Sequence, residues 1–398
     1  MSTRPALALL LTLCTGCFGV GRKAVGEVRL PVAVPSGGAA FANALYQSTG
    51  VLMEEGNSVE FVNNGRVFEA LLEDVRKARH SIHVVAFLWS DGEVSRKLID
   101  ALTEKARSGV QCRILVDAIG SLSFGDKQEN PLEAAGCEVH KFRPVPGQDD
   151  LARNHRKIVL VDGRVGITGG YGIDDRWQGD GEHELRWRDS NVRVRGPVVL
   201  QMQQAFAENW QEAAGKLLPA DAFPPPERAG RVRAAFVAST ENGVVTRSDR
   251  LTQLFIAAAR DRVWLANAYF LPSRPIVDLL ALKAREGVDV RVLSAGDKTD
   301  TAPYLGPQRE RMDWLIAQGA RGWEYAPTMM HSKTMLVDGS LVAVGSCNLD
   351  ALSLNKMDEG ALVIDDAGIA RQLERQWERD LTLSRERGAP PEQRSARK

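Results

Sequence analysis

The sequence HRKIVLVD at residues 155–162 is repeated, with changes, as HSKTMLVD at residues 331–338. Both copies place His, Lys and Asp at the same spacing, and each is followed at the same distance by a glycine, Gly169 or Gly345. One such pattern can arise by chance, whereas two with the same spacing indicate an internal duplication. The repeat therefore predicts two similar halves, each contributing half of one site at their interface.

The residues of the repeat predict the chemistry of that site. Each copy continues into an apolar run typical of a β-strand, so a histidine and the lysine two residues later share a face. Two such faces in apposition bring together His155, Lys157, His331 and Lys333. This set suits a phosphoryl group, because the lysines can bind its oxygens while one imidazole attacks phosphorus and the other protonates the leaving oxygen.

The aspartates of the repeat, Asp162 and Asp338, have two interpretations. Each is followed by glycine, as in a hairpin turn, which favours a structural role. Direct participation in the chemistry is the alternative, since both residues belong to the repeated pattern.

The repeated pattern resembles the HKD motif of the phospholipase D superfamily, and the resemblance continues into the bacterial cardiolipin synthases. Trp187-Arg188-Asp189 and Tyr269-Phe270-Leu271-Pro272 are similar to stretches of those enzymes, and the likeness covers roughly residues 60–383. It implies two pseudo-symmetric α/β sandwich domains with mixed sheets and a single active site at their interface. It also implies a catalytic set of His155, Lys157, Asp162, His331, Lys333 and Asp338, with phosphate binding by Asn348, Ser346 and Gly170.

The resemblance also implies acidic residues that orient the histidines. Glu359 and Asp189 stand at strand starts, and we expect each against the histidine of its own repeat; Glu182 and Glu184 are alternatives in the first half. In enzymes with two such motifs the first histidine is usually the nucleophile. We therefore expect a neutral His155 to attack phosphorus and a protonated His331 to serve as the acid.

The sequence departs from the superfamily pattern at two positions. Gly172 stands where the first motif usually has asparagine, so one donor to the phosphoryl oxygens is missing, and Tyr171, a water or a nearby side chain would have to replace it. Leu352 stands where the second motif usually has arginine. Both His-Lys pairs survive, which favours an active enzyme.

The activity that the resemblance implies is phosphatidyl transfer, which makes cardiolipin from phosphatidylglycerol and a second phospholipid. The alternatives are hydrolysis of phospholipids at the same site, a nuclease, and an envelope protein that keeps the fold only for binding. A net charge of zero and a pI near 7.0 disfavour a nucleic-acid substrate. We expect no metal or other cofactor, because the histidines supply both nucleophile and acid.

Alternating helices and strands predict an α/β fold in both halves. Amphipathic helices are expected near residues 68–78 and 251–259, each followed by a strand, a second helix and a second strand. We assign the first domain to residues 58–215, a proline-containing linker to 216–233 and the second domain to 234–384. Residues 18–57 are interpreted as a tether and 385–398 as a disordered tail.

The N-terminus indicates the cellular location. An apolar run from Ala6 to Leu13 ends in Thr15-Gly16-Cys17, which resembles a lipoprotein signal peptide over residues 1–17 with Cys17 as the lipidated residue. An ordinary secretory signal or a weak membrane anchor is the alternative. We expect a monomer held by lipid on the periplasmic side of a bacterial membrane; a cytoplasmic peripheral protein is the other interpretation.

Only three cysteines follow this segment, which gives no disulfide framework. Cys112 and Cys137 could pair in an oxidising compartment, but we expect them to be buried as free thiols, like Cys347.

Overall fold

The computed structural model describes residues 34–144, 152–240 and 245–388. The predicted signal peptide, with Cys17, lies outside the described residues. The strands of the first half are β1 (Glu54–Phe61), β2 (Ser81–Ala86), β3 (Gln111–Asp117), β4 (Glu138–Phe142), β5 (Ile158–Val161), β6 (Val165–Gly169) and β7 (Asn191–Arg195). Those of the second half are β8 (Val232–Ser239), β9 (Arg262–Asn267), β10 (Asp289–Ala295), β11 (Arg321–Tyr325), β12 (Lys333–Val337), β13 (Leu341–Gly345), β14 (Glu359–Asp365) and β15 (Ser384–Glu386).

Helices connect these strands in both halves. In chain order they are α1 (Gly38–Thr49), α2 (Arg66–Lys77), α3 (Glu93–Arg107), α4 (Asp126–Ala134), α5 (Val198–Ala214), α6 (Arg247–Ala258), α7 (Arg274–Arg285), α8 (Ala302–Ala317), α9 (Ala351–Asn355) and α10 (Ala367–Thr382). The two amphipathic helices expected from the sequence are α2 and α6. In α2, Phe68, Leu71 and Val75 are buried at helical spacing, which is the pattern that predicted it.

The strand order shows the duplication directly. The first half has the order β1-β7-β6-β5-β2-β3-β4, and the second repeats it as β8-β14-β13-β12-β9-β10-β11. In each half three strands are parallel and the others antiparallel, so the expected mixed α/β sheets are confirmed. Because β1 pairs antiparallel with β8, the two halves form one continuous sheet of 15 strands among the described residues.

The two halves also share a hydrophobic core. One buried cluster combines Val84 and Phe206 of the first half with Phe236, Tyr325 and Trp377 of the second. Burial of large side chains is worth about 1.5–3 kcal/mol each. This shared core therefore fixes the position of one repeat against the other, which a site built from both repeats requires.

The segment interpreted as a tether is folded from residue 34 onward. The rings of Phe41 in α1 and Phe255 in α6 pack edge to face with centroids 5.6 Å apart, and the Gly38 N–H donates to Asp365 Oδ2 at 2.7 Å. β1 also begins at Glu54, within the predicted tether. The tether interpretation is therefore wrong for residues 34–57, because the apolar face of α1 is buried against the second half.

The start of the predicted tail is also ordered. β15 pairs antiparallel with β11, and the Arg387 guanidinium binds the Asp313 carboxylate at 2.7 Å. The edge strand β11 has backbone groups without a partner on one side, and a following segment can pair with them. The charged composition of the tail gave no sign of this pairing, because it depends on the backbone and not on the side chains. Residues 389–398 lie outside the described residues.

Cys112 and Cys137 form a disulfide, so the expectation of free thiols is wrong. The reason is the register of the sheet. Cys112 lies in β3, and its neighbour Arg113 pairs with Glu138 at the start of β4, which leaves the two cysteines opposite each other with Cα atoms 4.6 Å apart. Cys347 is a free cysteine.

None of the helices within the described ranges is both long enough and apolar enough to cross a membrane.

The aspartates of the two repeats hold equivalent turns. Asp162 has a φ of 55° and its carboxylate accepts hydrogen bonds from the backbone N–H groups of Arg79, His80 and Ser81 at 2.7–3.1 Å. Asp338 has a φ of 47° and accepts from the N–H groups of residues 260–262 at 2.9–3.1 Å. Each carboxylate thus fixes the start of β2 or β9 beside the hairpin after the motif, which supports the structural interpretation.

Asp162→Ala should lower the free energy of unfolding by about 2 kcal/mol or more, because several N–H groups lose a charged acceptor. Urea denaturation measures the change. Asp100→Ala, on the exposed side of α3, is the control and should shift the free energy of unfolding by less than about 0.5 kcal/mol. A wild-type unfolding curve for Asp162→Ala would contradict the structural role.

Candidate active site

The two motif histidines lie directly before the strands that their sequences predict. β5 begins at Ile158 and β12 at Lys333, so His155 and His331 lie in the loops just before these strands and not in the strands themselves. Their backbones bind the opposite repeat: the His155 N–H donates to Asp358 O at 2.8 Å and the His331 N–H donates to Arg188 O at 2.7 Å. Each motif is therefore anchored across the boundary between the halves.

The orienting carboxylates also cross this boundary. His155 Nδ1 lies 2.9 Å from Glu359 Oε1, and His331 Nδ1 lies 3.1 Å from Asp189 Oδ2. The expectation that each acid serves the histidine of its own repeat is wrong. The backbone contacts explain the exchange, because residues 188 and 358, which precede the two acids, pair with the other repeat's motif.

The alternative acids in the first half do not approach either histidine. Glu182 binds Arg379 at 2.6 Å, and Glu184 forms an ion pair with Lys298. Both glutamates lie in the loop before Trp187 and stabilise contacts with the second half.

The two lysines are buried beside the histidines. Lys157 Nζ donates to His155 O at 2.6 Å, and Lys333 Nζ donates to His331 O at 2.5 Å and lies 2.8–3.0 Å from the ring nitrogens. Burial lowers the pKa of Lys157 to about 7 and that of Lys333 to about 8, although the nearby carboxylates oppose the shift. An anionic phosphate in the site would favour the charged ammonium form of both.

The histidines are also shifted towards their neutral forms. Burial lowers the pKa of His155, and Glu359 opposes the shift. Burial, then the charge of Lys333, lowers the pKa of His331 to about 4. Both imidazoles are therefore neutral at pH 7, which differs from the expectation that His331 starts protonated. A phosphodiester anion beside His331 would raise its pKa, so the substrate itself supplies part of the driving force for protonation.

The predicted phosphate-binding residues take different positions. Asn348 lines the cavity, and none of the described residues donates a hydrogen bond to its buried Oδ1. Ser346 instead directs its hydroxyl at Glu359 Oε2, and the Gly170 N–H donates to Asn191 Oδ1 at 3.1 Å. Asn348 and Gly170 both line the cavity and stay candidates for substrate contact, whereas the Ser346 hydroxyl serves the Glu359 carboxylate.

Aromatic side chains that the sequence analysis did not select form the walls of the site. A cavity of about 230 Å³ contains both motif histidines, Lys157 and Asn348, and is lined by Phe87, Trp177, Trp187, Tyr269 and Tyr304. The rings of Phe87 and His155 lie 4.7 Å apart, and those of Trp177 and His331 lie 5.1 Å apart. Scattered aromatic residues carry no spacing signal, so only the fold brings them together.

A larger cavity of about 640 Å³ lies elsewhere at the boundary between the halves, lined by residues such as Asn63, Leu72 and Arg379. It contains no motif histidine or lysine, so the smaller cavity is the candidate active site. Among the residues that the structure describes, no group of three His, Cys, Asp or Glu side chains is arranged to hold a metal ion.

The sequence is similar to those of known cardiolipin synthases. A family model described as "Cardiolipin synthase, PLD-like domain" matches residues 71–210 and 253–381. Cardiolipin synthase 1 of Bacillus anthracis is 31% identical over 337 residues, which are 81% of this chain and 66% of that protein. Cardiolipin synthase A of Pseudomonas fluorescens is 32% identical over 82% of this chain and 68% of its own length. The chain thus spans about two thirds of the length of these relatives.

Two solved structures share the fold at low identity. Phosphatidylserine synthase from Haemophilus influenzae superposes with a TM-score of 0.70 at 12% identity, over 87% of this chain and 92% of its own. Polyphosphate kinase from Porphyromonas gingivalis gives a TM-score of 0.55 at 12% identity, over 82% of this chain and 47% of its own.

The crossed pairs can be tested by titration. Glu359→Gln should lower the pKa of His155, and Asp189→Asn should lower the pKa of His331, because each substitution removes the negative charge that stabilises the imidazolium. NMR of ¹³C-labelled histidine measures both values, with assignment from His155→Gln and His331→Gln. Each acid variant is the control for the other. A shift of His331 in Glu359→Gln, with His155 unchanged, would contradict the crossed arrangement.

Proposed function

The chain belongs to the family of cardiolipin synthases with phospholipase D-like domains, and from this membership we propose that it is a phosphatidyltransferase. It would transfer a phosphatidyl group from phosphatidylglycerol, through a phosphohistidine, to the hydroxyl of a second phospholipid. The observation that carries the proposal is the cavity lined by the motif histidines of both repeats, Lys157 and Asn348, with the buried Lys333 against His331.

In the first step His155 Nε2 attacks phosphorus. The Glu359 carboxylate supports this role, because it lies at Nδ1 and holds the proton there, leaving the lone pair on Nε2. A P–N bond forms and the P–O bond to the glycerol headgroup breaks. The departing oxygen takes its proton from His331, which the phosphate anion has helped to protonate.

In the second step His331 removes the proton from the acceptor hydroxyl, whose oxygen attacks phosphorus. The P–N bond breaks and His155 returns to its neutral form. Lys157, Lys333 and Asn348 would hold the non-bridging oxygens in both steps. The two buried ammonium groups match the charge that spreads over these oxygens in the transition state.

Transfer is favoured over hydrolysis by the family and by the walls of the site. Phe87, Trp177, Trp187 and Tyr269 give the cavity an aromatic lining that suits a lipid hydroxyl better than free water. Hydrolysis of phospholipids stays the alternative, because water and a glycerol hydroxyl require the same catalytic groups. A nuclease is disfavoured by the neutral charge balance of the chain.

The proposed location is the periplasmic side of a bacterial membrane, with the protein held by lipid on Cys17. The Cys112–Cys137 disulfide supports it, because such bonds persist in oxidising compartments. A monomer suffices for activity, since one chain supplies both halves of the site.

Purified protein incubated with phosphatidylglycerol alone should produce cardiolipin and glycerol, which mass spectrometry detects. Turnover should continue in EDTA, because the proposed chemistry uses histidine and lysine side chains. His155→Ala with His331→Ala is the inactive control. Phosphatidic acid as the main product would favour hydrolysis, and a loss in EDTA that a divalent ion restores would overturn the mechanism.

The assignment of the histidines predicts where the covalent intermediate forms. Acid-quenched peptide mapping should find the phosphatidyl adduct on His155. His331→Ala should slow both steps and still form some adduct from a substrate with an activated leaving group, whereas His155→Ala should form none. An adduct on His331 in the wild type would reverse the assignment, and no adduct under any condition would favour direct displacement.

Acylation of Cys17 predicts how the protein is attached. Cys17→Ser should release it from membranes or stall its processing, because the lipid chains that anchor it would be missing. Cell fractionation and mass spectrometry of the N-terminus provide the measurement. A Cys112→Ser/Cys137→Ser variant, which keeps Cys17, is the control. Unchanged membrane association, together with an uncleaved wild-type N-terminus, would exclude this anchor.

A further inference from the structure

Another side chain packs against the position of the missing asparagine. Gly172 is not among the residues with positive φ, so its backbone would accept a side chain. A Cβ atom there would meet Trp177 Cζ3 at 3.0 Å and Cη2 at 3.1 Å, and Leu88 Cδ2 at 3.2 Å. The indole of Trp177 therefore packs tightly where a side chain at position 172 would begin, and an asparagine there would have to push the ring aside.

Trp177 also binds the acid that orients His331. Its Nε1–H donates to Asp189 Oδ2 at 2.8 Å, and His331 Nδ1 lies 3.1 Å from the same oxygen. The other carboxylate oxygen accepts the Ser190 N–H at 2.8 Å. Trp177 is 2% exposed, so this hydrogen bond is shielded from water and holds the carboxylate in one orientation.

In the second half a different residue donates a hydrogen bond to the orienting carboxylate. There the Ser346 hydroxyl donates to Glu359, the acid that orients His155. The equivalent position in the first half is Gly170, where a Cβ would lie 2.5–2.6 Å from the Asp189 oxygens. A serine does not fit at this point, so a donor for Asp189 has to come from another element.

We propose that Trp177 is a positioning residue for His331: its indole replaces the first-motif asparagine in space, and its N–H holds the Asp189 carboxylate that orients the histidine. This role deepens the proposed phosphatidyl transfer, because His331 is the acid and then the base of that reaction. The orientation itself does not depend on which substrate is used.

Loss of this hydrogen bond should change the pKa of His331 in a definite direction. The charged groups facing His331 are Lys333 on β12, Asp189 before β7 and Asp300 after β10. Without the indole donor, the negative charge of Asp189 is less dispersed and stabilises the imidazolium more strongly. The pKa of His331, about 4 in the wild type, should then rise.

Trp177→Phe keeps an aromatic ring and removes the donor. By NMR titration of ¹³C-labelled histidine, the pKa of His331 should rise by about 1. Although this favours the protonated imidazole, kcat should fall about tenfold with little change in KM, because the Asp189 carboxylate no longer holds the ring in one orientation. Trp210→Phe, in α5, is the matched control, because this indole is also buried and none of the described residues accepts a hydrogen bond from its N–H. It should leave the titration and kcat close to wild type.

A second set of variants tests whether Trp177 occupies the space of the missing asparagine. Gly172→Asn alone should lower kcat, because the new side chain displaces the Trp177 ring. Gly172→Asn combined with Trp177→Leu should be more active than Trp177→Leu alone, since the smaller residue makes room for the amide. Circular dichroism checks that each variant is folded.

The outcomes separate this inference from the proposed function. If the wild type makes no cardiolipin but Trp177→Phe shifts the pKa of His331, the function fails and the positioning role stands. An unshifted pKa in folded Trp177→Phe would overturn the role of the N–H. A fully active Gly172→Asn, or a double variant no better than Trp177→Leu, would overturn the replacement of the asparagine.

Discussion

Two hydrogen bonds between histidine and carboxylate, each formed across the boundary between the repeats, are the contacts on which the rest of the site depends. His155 relies on Glu359 of the second half, and His331 relies on Asp189 of the first. Neither repeat could orient its own histidine alone. The shared sheet and core are therefore part of the catalytic arrangement, because a small shift between the halves would misplace both imidazoles.

The crossed pairs also make the burial of charge tolerable. Lys157, Lys333, Glu359 and Asp189 are all nearly inaccessible to water, and the two lysines lie near the two carboxylates. Burial lowers the pKa of both lysines, and the carboxylates limit that shift. A phosphate group entering this site meets donors that have already lost their water, so its charge is stabilised with little reorganisation.

The repeats are equivalent in topology and different in detail. The second half keeps Ser346 and Asn348, while the first has glycine at both equivalent positions and brings Trp177 to its acid. The two histidines therefore have different surroundings, which suits their different roles as nucleophile and as acid and base. The α/β fold followed from the alternation of helices and strands, but α1 and β15 were missed, because each is stabilised by a partner that is distant in the sequence.

By itself the sequence determined the duplication, the alternation of helices and strands, and the set of two histidines and two lysines, because spacing and periodicity are local properties. Only the tertiary structure decided that Glu359 serves His155 and that Cys112 meets Cys137, since strand order and register lie outside any local pattern. The same holds for the aromatic walls and for Trp177. Their contacts join residues that are separate along the chain and become neighbours only when the two halves pack together.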